Sequence, residues 1–280
     1  MFQPNEQEIA HAYKLVLLSN HAYDVPDRFI TATKEFGFEN DTGLIYYFFT
    51  EKVRAYLCRD SRDNIFVIFR GTETFKQWIR NICAWTIGIG RNKIKLHKGF
   101  WNAFNEIWPA TIGYLYKSGK AEKVPYSLKD LLHALTATNA TRVWFTGHSL
   151  GGALATIAAE EYVHQYQHKK ENVYMYTFGC PNVGNKDLGD EFNIKFQCLT
   201  PQSRAFRYVM HDDLVTAANF VSLAKCGSKR LMLNDGTFHV DPNSQPDESY
   251  KINPGNHGIA NYISKLEGKI NPQSIIGTYF

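Results

Sequence analysis

The chain has 280 residues, 44% of them hydrophobic and 14% aromatic, with a formal net charge of +4. That is enough apolar mass for a sizeable core, and one α/β domain over residues 1–280 is the expectation. No run reaches the roughly 18 uninterrupted apolar residues of a membrane span, and no zinc-ligand spacing, phosphate-cradling glycine loop, low-complexity tract or internal repeat is visible, so a transmembrane segment, a metal, an organic cofactor and a nucleic-acid partner are not expected.

In chain order, Glu6 to Asn20 has helical spacing at Ile9, Ala12, Tyr13, Val16 and Leu17, which predicts an amphipathic helix laid against the body, with residues 1–43 packed on the core. Leu44 to Thr50 and Lys52 to Cys58 read as paired strands. The polar turn Arg59 to Asn64 leads into Ile65-Phe66-Val67-Ile68-Phe69, apolar at every position and so a central strand buried on both faces. Asn102 to Tyr116 and Ser127 to Thr138 read as helices separated by the polar stretch Lys117 to Pro125. Thr141 to Thr146 reads as a strand and Leu150 to His164 as an alanine-rich helix. After them come a strand at Val173 to Phe178, a helix at Lys186 to Phe196, and strands at Ala205 to Met210 and Leu231 to Val240. A loop over 241–256 precedes a final helix from about Gly258 to Leu266. The alternation predicts a mostly parallel central sheet with helices on both faces.

Five cysteines, Cys58, Cys83, Cys180, Cys198 and Cys226, are widely spaced, odd in number and in no C-x-x-C pair, so they read as reduced packing residues. The start Met1 to Glu8 lacks a basic region followed by an apolar run. A cytoplasmic protein, or one exported without a visible signal peptide, is expected.

Ligands of such sheets bind beyond the carboxyl ends of the strands. There the chain has Arg70-Gly71-Thr72, Gly147-His148-Ser149, Gly179-Cys180-Pro181 and His211-Asp212-Asp213. The run Gly147-His148-Ser149-Leu150-Gly151-Gly152 sets a serine between glycines at a strand-to-helix junction. A bare G-x-S-x-G arises by chance in roughly one of twenty chains of this length, so the flanking strand and helix carry the weight. Ser149 is the expected nucleophile, its Oγ pushed out of the sheet at a strained turn.

A serine needs a base, and the base needs an acid to orient it; on sheets of this kind the order is Ser, Asp or Glu, then His. Asp213 is favoured over Asp212 as the acid, because an adjacent pair usually leaves one member to solvent or a backbone amide and Leu214-Val215 favours the second. His257 in the late loop is favoured as the base over His211, which abuts the acid, and His239, which reads as a packing residue in a strand. His148, His164 and His168 receive no role. The Leu150 backbone N–H at the helix start, and Thr72 at the end of the central strand, can bind a developing oxyanion.

Phe75, Trp78, Ile79, Ile82 and Trp85 recur at helical spacing opposite Lys76, Gln77, Arg80 and Asn81, making a short amphipathic helix beside the site. Pattern alone favours a core helix with buried aromatics. Residues 73–98 also hold six basic residues (Lys76, Arg80, Arg91, Lys93, Lys95, Lys98) against Glu73, a local +5 that leaves −1 for the remainder. A solvated face and an anionic-surface contact are both open readings of that cluster.

The chain resembles the class 3 lipases, the fungal triacylglycerol lipase type of α/β-hydrolase, from about residue 44 to 266. The resemblance rests on Phe69-Arg70-Gly71-Thr72, Leu96-His97-Lys98-Gly99-Phe100, Gly147 to Ala155, Thr177 to Asn185 and Asp213-Leu214-Val215. It implies a Ser149, Asp213, His257 triad, an oxyanion site at Thr72 and Leu150, and a lid over about residues 73–90 that includes Trp78, in place of the core helix. Thr216 stands where a proline is usual, and Gly258-Ile259 follow His257 in place of an aromatic-containing pattern. The expected activity is hydrolysis of carboxylic esters of lipids, acylglycerols first. The rivals are a phospholipase A1-type enzyme, an esterase of soluble esters or acyl transferase, and an inactive lipid-binding module. The expected partners are a lipid ester and an anionic lipid-water interface.

Overall fold

The structure, a computed structural model, describes residues 4–34, 45–71, 86–91, 93–109, 113–117, 120–137, 142–217, 224–233, 237–239 and 254–270. Its elements in chain order are helices α1 (Glu6–His21) and α2 (Pro26–Thr33) and strands β1 (Ile45–Phe49), β2 (Arg54–Arg59) and β3 (Asn64–Phe69). The short strands β4 (Thr86–Gly88) and β5 (Lys95–His97) follow, then helix α3 (Lys98–Ile107), strands β6 (Gly113–Lys117) and β7 (Lys120–Val124) and helix α4 (Leu128–Leu135). Next are strand β8 (Arg142–His148), helix α5 (Leu150–Gln165), strand β9 (Val173–Phe178), helix α6 (Lys186–Lys195) and strand β10 (Ala205–Met210). Helix α7 (Leu214–Ala217), strands β11 (Ser228–Met232) and β12 (Phe238–His239) and helix α8 (Ile259–Glu267) complete the set.

Among the described residues, ten strands make one sheet in the order β12-β11-β10-β9-β8-β3-β2-β1-β6-β7. Its centre, β3 with β8, β9, β10 and β11, is parallel. Antiparallel strands extend it on either side. This is the mostly parallel sheet that the βαβ alternation predicts, arranged as the α/β-hydrolase architecture that the resemblance implies.

Strand alternation explains why one sheet supports two cores. Ile65, Val67, Phe69, Val143, Phe145 and Met175 face one side, where α5 covers them with Ala153, Leu154, Ile157, Ala158 and Tyr162. Phe66, Ile68, Trp144, Tyr176 and Tyr208 face the other, under Leu15, Val16 and Leu18 of α1 and Tyr262 and Leu266 of α8. Every residue of β3 is buried. Helix α5 is therefore apolar nearly all round, as a helix in the middle of a domain must be. On the opposite face α1 is also tied down by polar groups: Arg230 donates to both Glu8 carboxylate oxygens at 2.6 and 2.8 Å, and the Tyr208 hydroxyl donates to Glu8 at 2.9 Å. A paired, buried carboxylate of this kind fixes where α1 sits along the sheet.

Three expectations change. Asn102 to Tyr116 is not one helix: α3 starts earlier, at Lys98, with the His97 Nδ1 accepting from the Gly99 N–H at 3.2 Å, and it ends at Ile107. Gly113 to Lys117 is a strand paired with β1, Tyr47 opposite Tyr114. The stretch Lys117 to Pro125 is not merely a polar separator either, since Lys120–Val124 pairs with β6 as an exposed edge strand. Its lysines suit an edge, because charge there discourages pairing with another chain. The late strand expected over Leu231 to Val240 is a hairpin of β11, which already begins at Ser228, and the two-residue β12, with Met232 opposite Phe238.

Candidate active site

Strand β8 ends at His148 and α5 begins at Leu150, so Ser149 makes the whole turn. Its φ of 59° and ψ of −124° are left-handed for a residue with a side chain. Such a backbone costs about 1–3 kcal/mol and persists only where its surroundings over-determine it. They do here: the Ser149 N–H donates to Phe178 O at 2.9 Å, and the Ser149 carbonyl accepts the first intrahelical bond, from the Ala153 N–H at 3.2 Å. A Cβ at 147 would overlap the Gly151 backbone, and one at 151 would overlap the Phe69 carbonyl oxygen. The two glycines thus let α5 start flush against the ends of β3 and β8.

The structure brings Ser149, His257 and Asp213 together. His257 lies in a 3₁₀ turn, Pro254–His257, just before α8. Its Nε2 is 2.8 Å from Ser149 Oγ, and its Nδ1 is 2.9 and 3.1 Å from the two Asp213 carboxylate oxygens. Asp213 is fully buried, in the turn between β10 and α7. Its Oδ1 also accepts from the Val215 N–H at 2.8 Å, and its Oδ2 from the Tyr262 hydroxyl at 2.6 Å. A carboxylate with that many donors is held in one orientation. Gly179, with a φ of +58°, lies beneath the pair; a Cβ there would come within 3.1 Å of His257 Cε1 and 3.2 Å of Asp213 Oδ2.

The amides of the first turn of α5 have no partner within the helix, and Leu150 contributes the one next to Ser149. Helix polarity adds a partial positive charge at that end. Thr72 and the expected lid positions Phe75, Trp78, Ile79, Ile82 and Trp85 lie outside the described residues, as do Lys76 and Arg80.

Several histidines and acids sit differently from expectation. Asp212 is not turned to solvent: it is buried and accepts from Asn256 Nδ2, so both members of the acid pair grip the loop that carries His257. His239 is exposed on its edge strand and does not pack, His164 is exposed, and His211 is buried. His148, given no role from sequence, points at the base. Its ring centroid is 4.8 Å from that of His257, and its Nε2 is 2.8 Å from the His257 carbonyl oxygen. Burial first, and His257 second, push its pKa down to about 3. Tyr262 was equally hidden, since its place in the apolar spacing of α8 reads as core. Burial, and then Asp213, hold its phenol well above the usual range, so it remains a donor.

Cys58, Cys180, Cys198 and Cys226 are free and buried. Burial raises the Cys180 thiol to about 11 and Cys198 to about 12, so neither offers a thiolate near neutral pH. In the basic segment, Arg91 is an internal ion pair with Glu160, at 3.2 Å, and with Glu161. Lys93, Lys95 and Lys98 are exposed. Among the described residues no helix is long and apolar enough to cross a membrane.

The family model for lipase (class 3) matches residues 66–222, more than half of the chain. A lipase of Caenorhabditis elegans is 33% identical over 156 residues, 56% of this chain and 38% of that protein. A secreted mono- and diacylglycerol lipase of Fusarium solani is 31% identical over 170 residues, 58% of this chain and 41% of its own length. The chain thus spans about two-fifths of these curated relatives. A solved triacylglycerol lipase, whose catalytic centre is a serine protease triad, superposes with a TM-score of 0.65 at 21% identity, covering 89% of both chains. The chain belongs to the class 3 lipase family.

Proposed function

We propose that this class 3 lipase is a serine hydrolase of lipid carboxylic esters, acylglycerols first. The observation that carries the reading is the unbroken line of hydrogen bonds from Ser149 Oγ through His257 to the buried Asp213. His257 Nε2 takes the Ser149 proton as Oγ attacks the ester carbonyl carbon, and Asp213 orients the ring and balances the imidazolium that forms. The Leu150 N–H, with Thr72 as the second donor, receives the negative charge on the carbonyl oxygen; losing one such donor costs about 2.7–4 kcal/mol in the barrier. Collapse expels the alcohol, protonated from Nε2. Water, deprotonated by the same ring, then attacks the acyl-serine, and the fatty acid leaves with Ser149 restored. No step draws on a metal or an organic cofactor. The residues proposed to cover the site and meet the acyl chain are Phe75, Trp78, Ile79, Ile82 and Trp85.

The test is fatty-acid release from glycerol esters from acetyl to stearoyl, each both dissolved and emulsified. Turnover should rise sharply once the longer esters form droplets. Hydrolysis confined to dissolved short esters would replace the lipase reading with a soluble esterase.

A second reading concerns the surface on which the enzyme works. With Arg91 neutralised internally, Lys93, Lys95 and Lys98 remain exposed at and beside the β4–β5 hairpin. Three lysines near an anionic bilayer contribute about 1 kcal/mol each, enough for roughly 10²-fold tighter binding at low salt. This favours phospholipid, or acylglycerol embedded in it, as substrate. Vesicles containing phosphatidylserine should bind and be hydrolysed faster than phosphatidylcholine vesicles, with the advantage fading as salt rises. Equal rates at every salt concentration would remove the anionic preference and leave the acylglycerol reading intact.

A further inference from the structure

His148 is the last residue of β8, and strand alternation turns its side chain to the same side as Trp144, toward α1 and α8 and away from α5. Two elements distant in sequence meet it there. Tyr23, just past the end of α1, has its hydroxyl 2.9 Å from His148 Nδ1, and the edge of the Tyr262 ring lies with its centroid 5.9 Å away. On its other side Nε2 reaches the His257 carbonyl oxygen at 2.8 Å.

These partners determine where the proton sits. A carbonyl oxygen only accepts, so Nε2 must carry the hydrogen; in the neutral ring Nδ1 is then bare and accepts from the Tyr23 hydroxyl. The deeply lowered pKa keeps the ring neutral through the range in which an ester hydrolase works. This matters chemically, because the His257 ring becomes cationic during attack and a second cation packed against it would oppose that step.

We infer that His148 is a positioning residue for the reaction: as an Nε2–H donor oriented by Tyr23, it anchors the backbone carbonyl of His257 and so keeps the imidazole aligned between Ser149 and Asp213. The inference rests on the triad reading proposed above. The ring alone does not fix the base. Asp213 and Ser149 hold its two nitrogens, but the residue sits in a loop turn whose peptide planes could rotate beneath the ring. His148 holds the peptide that follows Cα, and the bond from Asn256 to Asp212 holds the residue before it. Tyr23 also touches the root of the oxyanion segment, since a Cβ at Gly71 would run into its hydroxyl. The Tyr23–His148 pair thus braces the base and the end of β3 from one point.

The test compares His148→Leu, His148→Gln and Tyr23→Phe with the parent. The readouts are the rate of Ser149 phosphonylation by a small soluble fluorophosphonate, kcat and KM on a dissolved short-chain ester, and Tm. A misplacement of about 1 Å costs on the order of 10²-fold, so H148L should lose about that factor in phosphonylation and in kcat, with KM within about twofold. Glutamine carries an amide N–H close to the position of Nε2 and should recover the rate to within about fivefold of the parent. Y23F, which frees the tautomer but keeps the donor ring, should lose roughly threefold to tenfold. Parental phosphonylation in H148L, or a loss in H148Q as deep as in H148L, would overturn the role and leave His148 a packing residue. If H148L does not fold, Y23F decides alone, and a parental rate there also overturns it. Absence of labelling in the parent would instead sink the triad itself, an outcome distinct from a labelled parent with unaffected variants.

Discussion

Replacing Ser149 by alanine is expected to lower turnover on any ester by a factor on the order of 10⁶ while leaving the fold in place. The substitution removes one oxygen atom, whose partner in the structure is His257 Nε2. It adds no volume, because alanine keeps the Cβ that serine already places in this turn. The bonds that hold the turn, Ser149 N–H to Phe178 O and Ala153 N–H to Ser149 O, are backbone bonds and survive. Tm should therefore stay within a few degrees of the parent, and fluorophosphonate labelling should vanish together with activity. Turnover within about tenfold of the parent would mean that another group performs the attack. The buried, protonated thiols are poor candidates for it.

Asp213→Asn should produce the second largest loss, about 10⁴-fold in kcat, through proton placement with little change of shape. Oδ1 accepts from the Val215 N–H and Oδ2 from the Tyr262 hydroxyl, and both oxygens face His257 Nδ1. An asparagine must put its NH₂ at one of these places. At Oδ1 it would oppose a backbone N–H that cannot reverse. At Oδ2 it opposes only a hydroxyl, which can turn and accept. The amide therefore settles with its NH₂ at Oδ2, where it donates to Nδ1 and forces the proton of the neutral imidazole onto Nε2. The base then presents a hydrogen to Ser149 where it needs a lone pair. Kinetics and a melting curve on the purified variant check this together: kcat should collapse while Tm changes by only a few degrees. Loss of less than tenfold would show that Asp213 does not set the tautomer of His257.

The amino-acid sequence by itself determined the centre of the molecule. Strands Val173–Phe178 and Ala205–Met210 lie where their apolar runs place them, and the turn from β8 into α5 falls at the glycine-flanked serine. Buried parallel strands must be apolar at nearly every position, and a strand-to-helix turn this tight excludes side chains on both sides of the nucleophile, so local pattern and local structure coincide. The positions of Ser149 and Asp213 at strand ends were legible for the same reason, because each follows a strand that could be recognised on its own, whereas His257 was read only from its place in the late loop before the final helix.

Tertiary structure alone decided the periphery and the bracing of the site. Gly113-Tyr114-Leu115-Tyr116 is compatible with a helix, yet it becomes strand β6 because the edge of β1 offers unpaired backbone groups and the absent side chain at 113 makes room for the Phe48 ring. Lys120–Val124 has no apolar face and is a strand only because β6 lies beside it. His148 is bound to a backbone carbonyl 109 residues away and to a tyrosine 125 residues away, and Tyr262 reaches a carboxylate across 49. Such bonds depend on where the chain returns after folding, and a backbone carbonyl is the same acceptor in every residue. No periodicity or motif in one dimension can encode that choice of partner.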